Sequence, residues 1–248
     1  MPTRGGLFVG TSGFSYPTWV GGFYPAGSRS GELLRAYSER LPAVELNNTF
    51  YQFPTEAKIA AWRHETPDSF RFTAKAQQRV THWARLSDPV QTRRQAEAMR
   101  LFGDRLGATL VRVPDTFVRD DDRLRLFLAA WPADLPVAFD LRHPSWVDDE
   151  VLSLVTRHGN AAWVATDRDE LPEPARIFVT GPFLYVRLRR SVYRDADLAA
   201  WVDRVSPFID DGRDVYVFFR HTDEPTAPRL ALRFAELAAA AIPAEPVA

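Results

Sequence analysis

The sequence predicts an eight-stranded parallel (β/α)8 TIM barrel, and two observations carry that expectation. Short apolar runs rich in β-branched and aromatic residues recur at fairly even spacing, and nearly every run is followed by a helical pattern. The 248 residues, 46% of them hydrophobic, also suit one such barrel folding as a single domain, so closure is favoured over an open doubly wound sheet.

The first strand is expected over 7–13 (LFVGTSG), with a helix over 30–41. The second, AVELNNTFY (43–51), precedes a helix over 55–65, and the third, FRFTAKA (70–76), a helix over 88–107. Ser30, Thr55 and Asp88 open these helices as N-caps, because their side-chain oxygens satisfy the first free amides. Strands over 109–114 and 137–142 are followed by helices over 121–131 and 145–159, the latter with Ser145 as the expected cap and Asp148, Asp149 and Glu150 in its first turn. After the sixth strand (161–167), RDELPEPARIF is too short and Pro-rich for a full helix. Strands over 183–189 and 214–221, with helices over 195–209 and 227–242, complete the alternation, and IPAEPVA is expected to fray.

The net charge of -1 and pI near 6.5 provide no overall field for nucleic acid or an anionic membrane, so any anion site must be local. With no cysteine, thiolate catalysis, disulfides and Cys-ligated metals are excluded. No stretch reads as a signal peptide or approaches the roughly 20 apolar residues of a membrane span, so a cytoplasmic protein without a membrane partner is expected.

The second strand is unusual: Glu45, Asn47 and Asn48 stand where aliphatic residues are expected. Alternation along a barrel strand turns Val44 and Leu46 toward the helices and Glu45, Asn47 and Thr49 into the barrel. The same reading turns Lys75, Arg112, Asp140, Arg142, Asp167, Arg187 and Arg189 inward, mostly at strand C-termini, where barrel enzymes build their sites. In the eighth strand either Phe218 with Arg220 or Phe219 with His221 is the inner pair. Three acids against at least five cations leave positive charge over, which a small anion or phosphate would balance through bidentate arginines. The alternative is a salt-bridge network that only holds the barrel together.

Lys58 and Lys75 are the only lysines among 31 basic residues, so Lys75 stands where a compact, deprotonatable amine has a use. His82, His143 and His221 fall at the expected rim, while His64 and His158 sit near helix ends. Glu45, Asp140, Asp167, His143 and His221 could be drawn as a metal set. No recognised ligand spacing supports it and arginines compete for the same carboxylates, so no metal or cofactor is expected. GTSGFS matches neither a Walker loop nor a dinucleotide fingerprint, although its amides could cradle an anion. Phe14, Tyr16, Trp19, Tyr51, Phe53, Trp83 and Trp146 fall in rim loops, where aromatics either cover the barrel or stack on a sugar or base. Nucleic acid is the less favoured partner.

TSGFSY, ELNNTFY followed by a proline, the spacing from Lys75 to Thr81-His82, FDLRHPSW and YVRL resemble the signatures of the domain of unknown function 72 family over nearly the whole chain. The resemblance implies a TIM barrel with a polar pocket at the strand C-termini and no established activity. By motif, that pocket takes in Glu45, Asn47, Lys75, His82, Asp140, Arg142, His143 and Arg187. Arg189-Arg190 stands where relatives usually carry His-Gly, and Phe219-Arg220 where they tend to carry paired asparagines before His221. The leading expectation is an enzyme, a hydrolase or isomerase, on a small anionic substrate. Arg112, Arg142 and Arg187 would hold the anion, with Asn47, His82, His143 and His221 around it, while Glu45 and Lys75 move protons and Asp140 orients a partner. The alternatives are a metal-assisted phosphoesterase or sugar isomerase, and a non-catalytic binder of an anion or nucleic-acid end.

Overall fold

A computed structural model describes residues 4–241. The expected frayed tail, 242–248, lies outside them. Eight parallel strands close into a barrel in sequence order: β1 (Leu7–Ser12), β2 (Ala43–Leu46), β3 (Arg71–Lys75), β4 (Leu106–Arg112), β5 (Val137–Asp140), β6 (Ala161–Asp167), β7 (Phe183–Leu188) and β8 (Asp214–Phe219). Closure runs through β1 and β8, with Leu7 opposite Val215 and Thr11 opposite Phe219. Around them lie α1 (Leu33–Ser38), α2 (Glu56–His64), α3 (Pro89–Arg100), α4 (Asp121–Ala130), α5 (Asp149–Arg157), α6 (Asp195–Asp210) and α7 (Thr226–Ala241). As expected, no helix separates β6 from β7. Among the described residues no helix is long and apolar enough to cross a membrane.

Two apolar layers follow from the alternation. Val9, Val44, Leu46, Val111, Phe139 and Phe219 pack outward against the helices, whereas Ala43, Leu110, Tyr185, Tyr216 and Phe218 fill the lumen. The lumen is therefore a packed core beneath its polar end. Phe218 faces the lumen and Phe219 meets Phe234 of α7, but β8 ends at Phe219, so neither expected pair continues to Arg220 or His221. The strands come close enough that a methyl group on Gly10 would lie 1.9 Å from the Ala43 carbonyl oxygen, so glycine is required there.

Asp88 caps α3 as expected, whereas Ser30 lies in a 3-10 turn and α1 begins only at Leu33. The Asp88 carboxylate accepts from the amides of Val90 and Gln91, and Pro89 opens α3. Asp88→Ala is expected to lower stability by about 1 kcal/mol, read by urea denaturation. The helix expected over 145–159 is split. His143, held extended before Pro144, caps a 3-10 turn over Pro144–Trp146, and Asp148 rather than Ser145 caps α5. Trp19 and Trp146, expected at the rim, are fully buried, their indole N–H groups donating to the Thr222 and Phe117 carbonyls. Tyr51 and Trp83 remain exposed.

Candidate functional site

A chain of buried ion pairs crosses the C-terminal end of the lumen, centred on Arg187. Its Nε and Nη2 donate to Glu45 Oε2 and Oε1 at 3.0 and 2.8 Å, and its Nη1 donates to Asp140 Oδ2 at 2.8 Å. Glu45 also accepts from Ser12 Oγ and Tyr185 OH, both at 2.8 Å. Asp140 takes a two-pronged contact from Arg142 at 3.0 Å and a hydroxyl from Thr166 at 3.0 Å. Both carboxylates are thus saturated with donors. Burial pushes the Glu45 carboxyl up, but Arg187 outweighs it and holds the group below the usual range. Asp140 follows the same balance, with Arg142 and Arg187 pulling it well below the usual range. Both stay ionised.

The remaining cations are less committed. Arg112 donates to Asp115 at 3.1 Å and lies 4.0 Å from Asp140, and its buried Nε has no hydrogen-bond partner. Lys75 projects its ammonium over the Phe50 ring, 3.8 Å from the centroid, and no carboxylate among the described residues pairs with it. Burial, then the charges of Arg112 and Arg187, push its pKa down to about 8. Arg189 is mostly buried, has no ion pair among the described residues, and leaves its Nη1 without a partner. Burial and the neighbouring Arg187 lower its pKa to about 10, so it stays charged at neutral pH.

The histidines stand at the edge of this cluster. His82 lies on a wide π-helical turn (Arg79–Trp83) that ends in positive φ at Arg85 and Leu86, a locally strained backbone of the kind that gathers at functional sites. Its ring meets Phe50 edge-on at 4.8 Å, and burial followed by Lys75 lowers its pKa. His221 stacks on Tyr16 at 5.0 Å, with its pKa lowered by burial and Arg189. His143 serves its turn, its Nδ1 in contact with Ser145 Oγ at 2.8 Å.

Two inward expectations are corrected. Asp167 faces the helix layer, where Arg190, Tyr193 and Trp201 surround it. Arg190 therefore turns to Asp167 and the helix layer, while Arg189 lies beside Arg187 and Glu45. Asn47 follows the end of β2 in a helical conformation, so alternation no longer applies. It lines a separate groove beside Phe14, Lys58 and Trp62. Sequence reasoning missed Ser12, Tyr185 and Thr166, which share the inward face with residues it did find, and Phe50 beneath Lys75. Among the described residues no three His, Asp or Glu side chains converge on a point where a metal could be held.

The comparisons with known proteins agree with this architecture. A DUF72 family protein from Thermotoga maritima MSB8 superposes with a TM-score of 0.81 at 26% identity, covering 94% of this chain and 98% of that one. One from Enterococcus faecalis V583, at 22% identity, shares the fold with a TM-score of 0.75 over 96% and 98% of the two chains. The UPF0759 protein YunF of Bacillus subtilis is 26% identical over 66% of this chain and 61% of its own length. The UPF0759 protein YecE of Escherichia coli is 29% identical over 56% of this chain and 50% of its own length, so the matches span only half to three-fifths of these relatives. The family described as Protein of unknown function DUF72 matches residues 8–247, and the chain belongs to that family.

Proposed function

We propose that the C-terminal end of the barrel binds a small anionic substrate and that Lys75 transfers a proton to or from it in a hydrolysis or isomerisation. One observation carries this reading: Lys75 and Arg189 lie beside a cluster whose two carboxylates are already saturated, chiefly by Arg187 and Arg142, and neither has an ion-pair partner among the described residues. Unmatched buried charge is costly, and an anion would relieve it. Saturation also reassigns Glu45. A carboxylate accepting four hydrogen bonds and held below its usual pKa is a poor proton acceptor, so Glu45 and Asp140 position the arginines, and Lys75, with its pKa near 8, is the group poised for proton transfer. The committed carboxylates argue against the metal-assisted alternative.

Arg189 offers the cleanest test, because removing it breaks no ion pair among the described residues. Titration calorimetry at low salt should find that inorganic phosphate binds the protein and that Arg189→Met weakens it by about tenfold or more, with no loss of thermal stability. Phosphate and small carboxylates that bind neither protein would leave the charges as a structural network.

A further inference from the structure

We infer that the anion taken by this site is the phosphate of a nucleotide, and that its base stacks in a groove between the loops that follow β2 and β3. The inference rests on the anion-site reading and adds the chemical class of the ligand. The groove has a volume of about 360 Å³ and is lined by Tyr51, Phe53, Gln77, Arg79, Trp83 and Arg94, among others, with no acidic residue.

A continuous wall of rings joins it to the cationic site. Phe50 lies under the Lys75 ammonium, meets His82 edge-on at 4.8 Å and meets Tyr51 edge-on at 5.1 Å. Tyr51 is 70% exposed and Trp83, next to His82, is 65% exposed. A single exposed aromatic needs no explanation, but two large rings beside a basic groove form a stacking platform. Arg79 lies 5.6 Å from the Trp83 ring and Arg94 5.7 Å from the Phe53 ring, and neither has a carboxylate partner among the described residues.

The polar groups point the same way. Gln77 is only 7% exposed, yet its Oε1 has no hydrogen-bond partner. Behind it, the Gln95 amide nitrogen is also unpaired, its oxygen being taken by the Gln77 backbone N–H. Of the two only Gln77 lines the groove, and a side-chain amide matches the mixed donors and acceptors of a base edge. A sugar's hydroxyls would find no carboxylate in the groove to accept them, whereas arginines and rings suit a planar, electron-rich base attached to phosphate.

Calorimetric titration of the intact protein with inorganic phosphate, ribose 5-phosphate and adenosine 5′-monophosphate separates the two readings. The nucleotide should bind about tenfold more tightly than ribose 5-phosphate. Trp83→Ala, at an exposed position, should abolish that preference while leaving phosphate affinity unchanged. If the nucleotide and ribose 5-phosphate bind equally, or Trp83→Ala and Tyr51→Ala both leave their ratio intact, the base-stacking groove is overturned and the anion site stands. If none of the three binds, the anion-site reading fails and this inference with it.

Discussion

Arg187→Ala is expected to cost about 3–5 kcal/mol of stability, measured by denaturant unfolding at neutral pH. Arg187 is 2% exposed and bridges two carboxylates, each within 2% of full burial. Removing it deletes three charged hydrogen bonds and strands Glu45, whose remaining donors, the Ser12 and Tyr185 hydroxyls, are neutral. Asp140 keeps Arg142. The pH dependence should distinguish this cause from a simple cavity. In the wild type, Glu45 and Asp140 have folded pKa values below their unfolded ones, so their contribution is full above those unfolded values and is lost as pH falls through the folded values. In Arg187→Ala burial dominates Glu45 and raises its pKa. The variant therefore fares best in acid, and its deficit against the wild type widens as pH rises from about 4 toward neutrality. Adding Glu45→Gln should recover part of the loss at pH 7. Equal pH profiles for the two proteins would refute the assignment of Glu45 as an ion-pair partner.

The same pairs show what could be read from the chain. Glu45 is flanked by Val44 and Leu46, and Arg187 by Val186 and Leu188, so the aliphatic neighbours identify the outer face and the charged residue falls inward. β6 carries no such contrast. Ala162 and Val164 on its inner face are as apolar as Trp163 and Ala165 on its outer one, a consequence of burying a parallel strand on both sides, and the parity of Asp167 was unreadable. Asn47 failed for another reason, since β2 stops at Leu46 and a period of two cannot be carried past the end of a strand. For Trp19 and Trp146 the choice between covering the barrel and stacking on a ligand stayed open, because a loop aromatic looks alike in sequence whether its N–H meets a carbonyl in the core or water at the rim. The partners that decide Asp167, Trp19 and Trp146 lie far away in the chain.

Lys75→Met should lower turnover by about 10²–10⁴-fold on the anionic substrate identified by binding, the range expected when a positioned proton donor or acceptor is lost. The same change should raise stability at neutral pH, and the combination is informative. The folded pKa of Lys75 is lowered from 10.5 to about 8, so the folded state carries a charged amine that burial, Arg112 and Arg187 disfavour. Between pH 8 and 10.5 the unfolded chain binds the proton more tightly, so wild-type stability rises with pH through that window, and the cost is fully present below pH 8. Methionine removes the charge and keeps most of the volume over Phe50. Thermal melts should therefore find the variant more stable than the wild type at pH 7, with the gap closing above pH 10. An anion should reverse the order by stabilising the wild type more than the variant, because it neutralises the charges that Lys75 faces. A residue that costs stability when the site is empty and repays it when ligand is bound is placed for the ligand, since a purely structural lysine would lose stability on replacement at every pH. Intact turnover in Lys75→Met, with phosphate still bound, would leave an anion-binding protein whose proton transfer, if any, lies elsewhere.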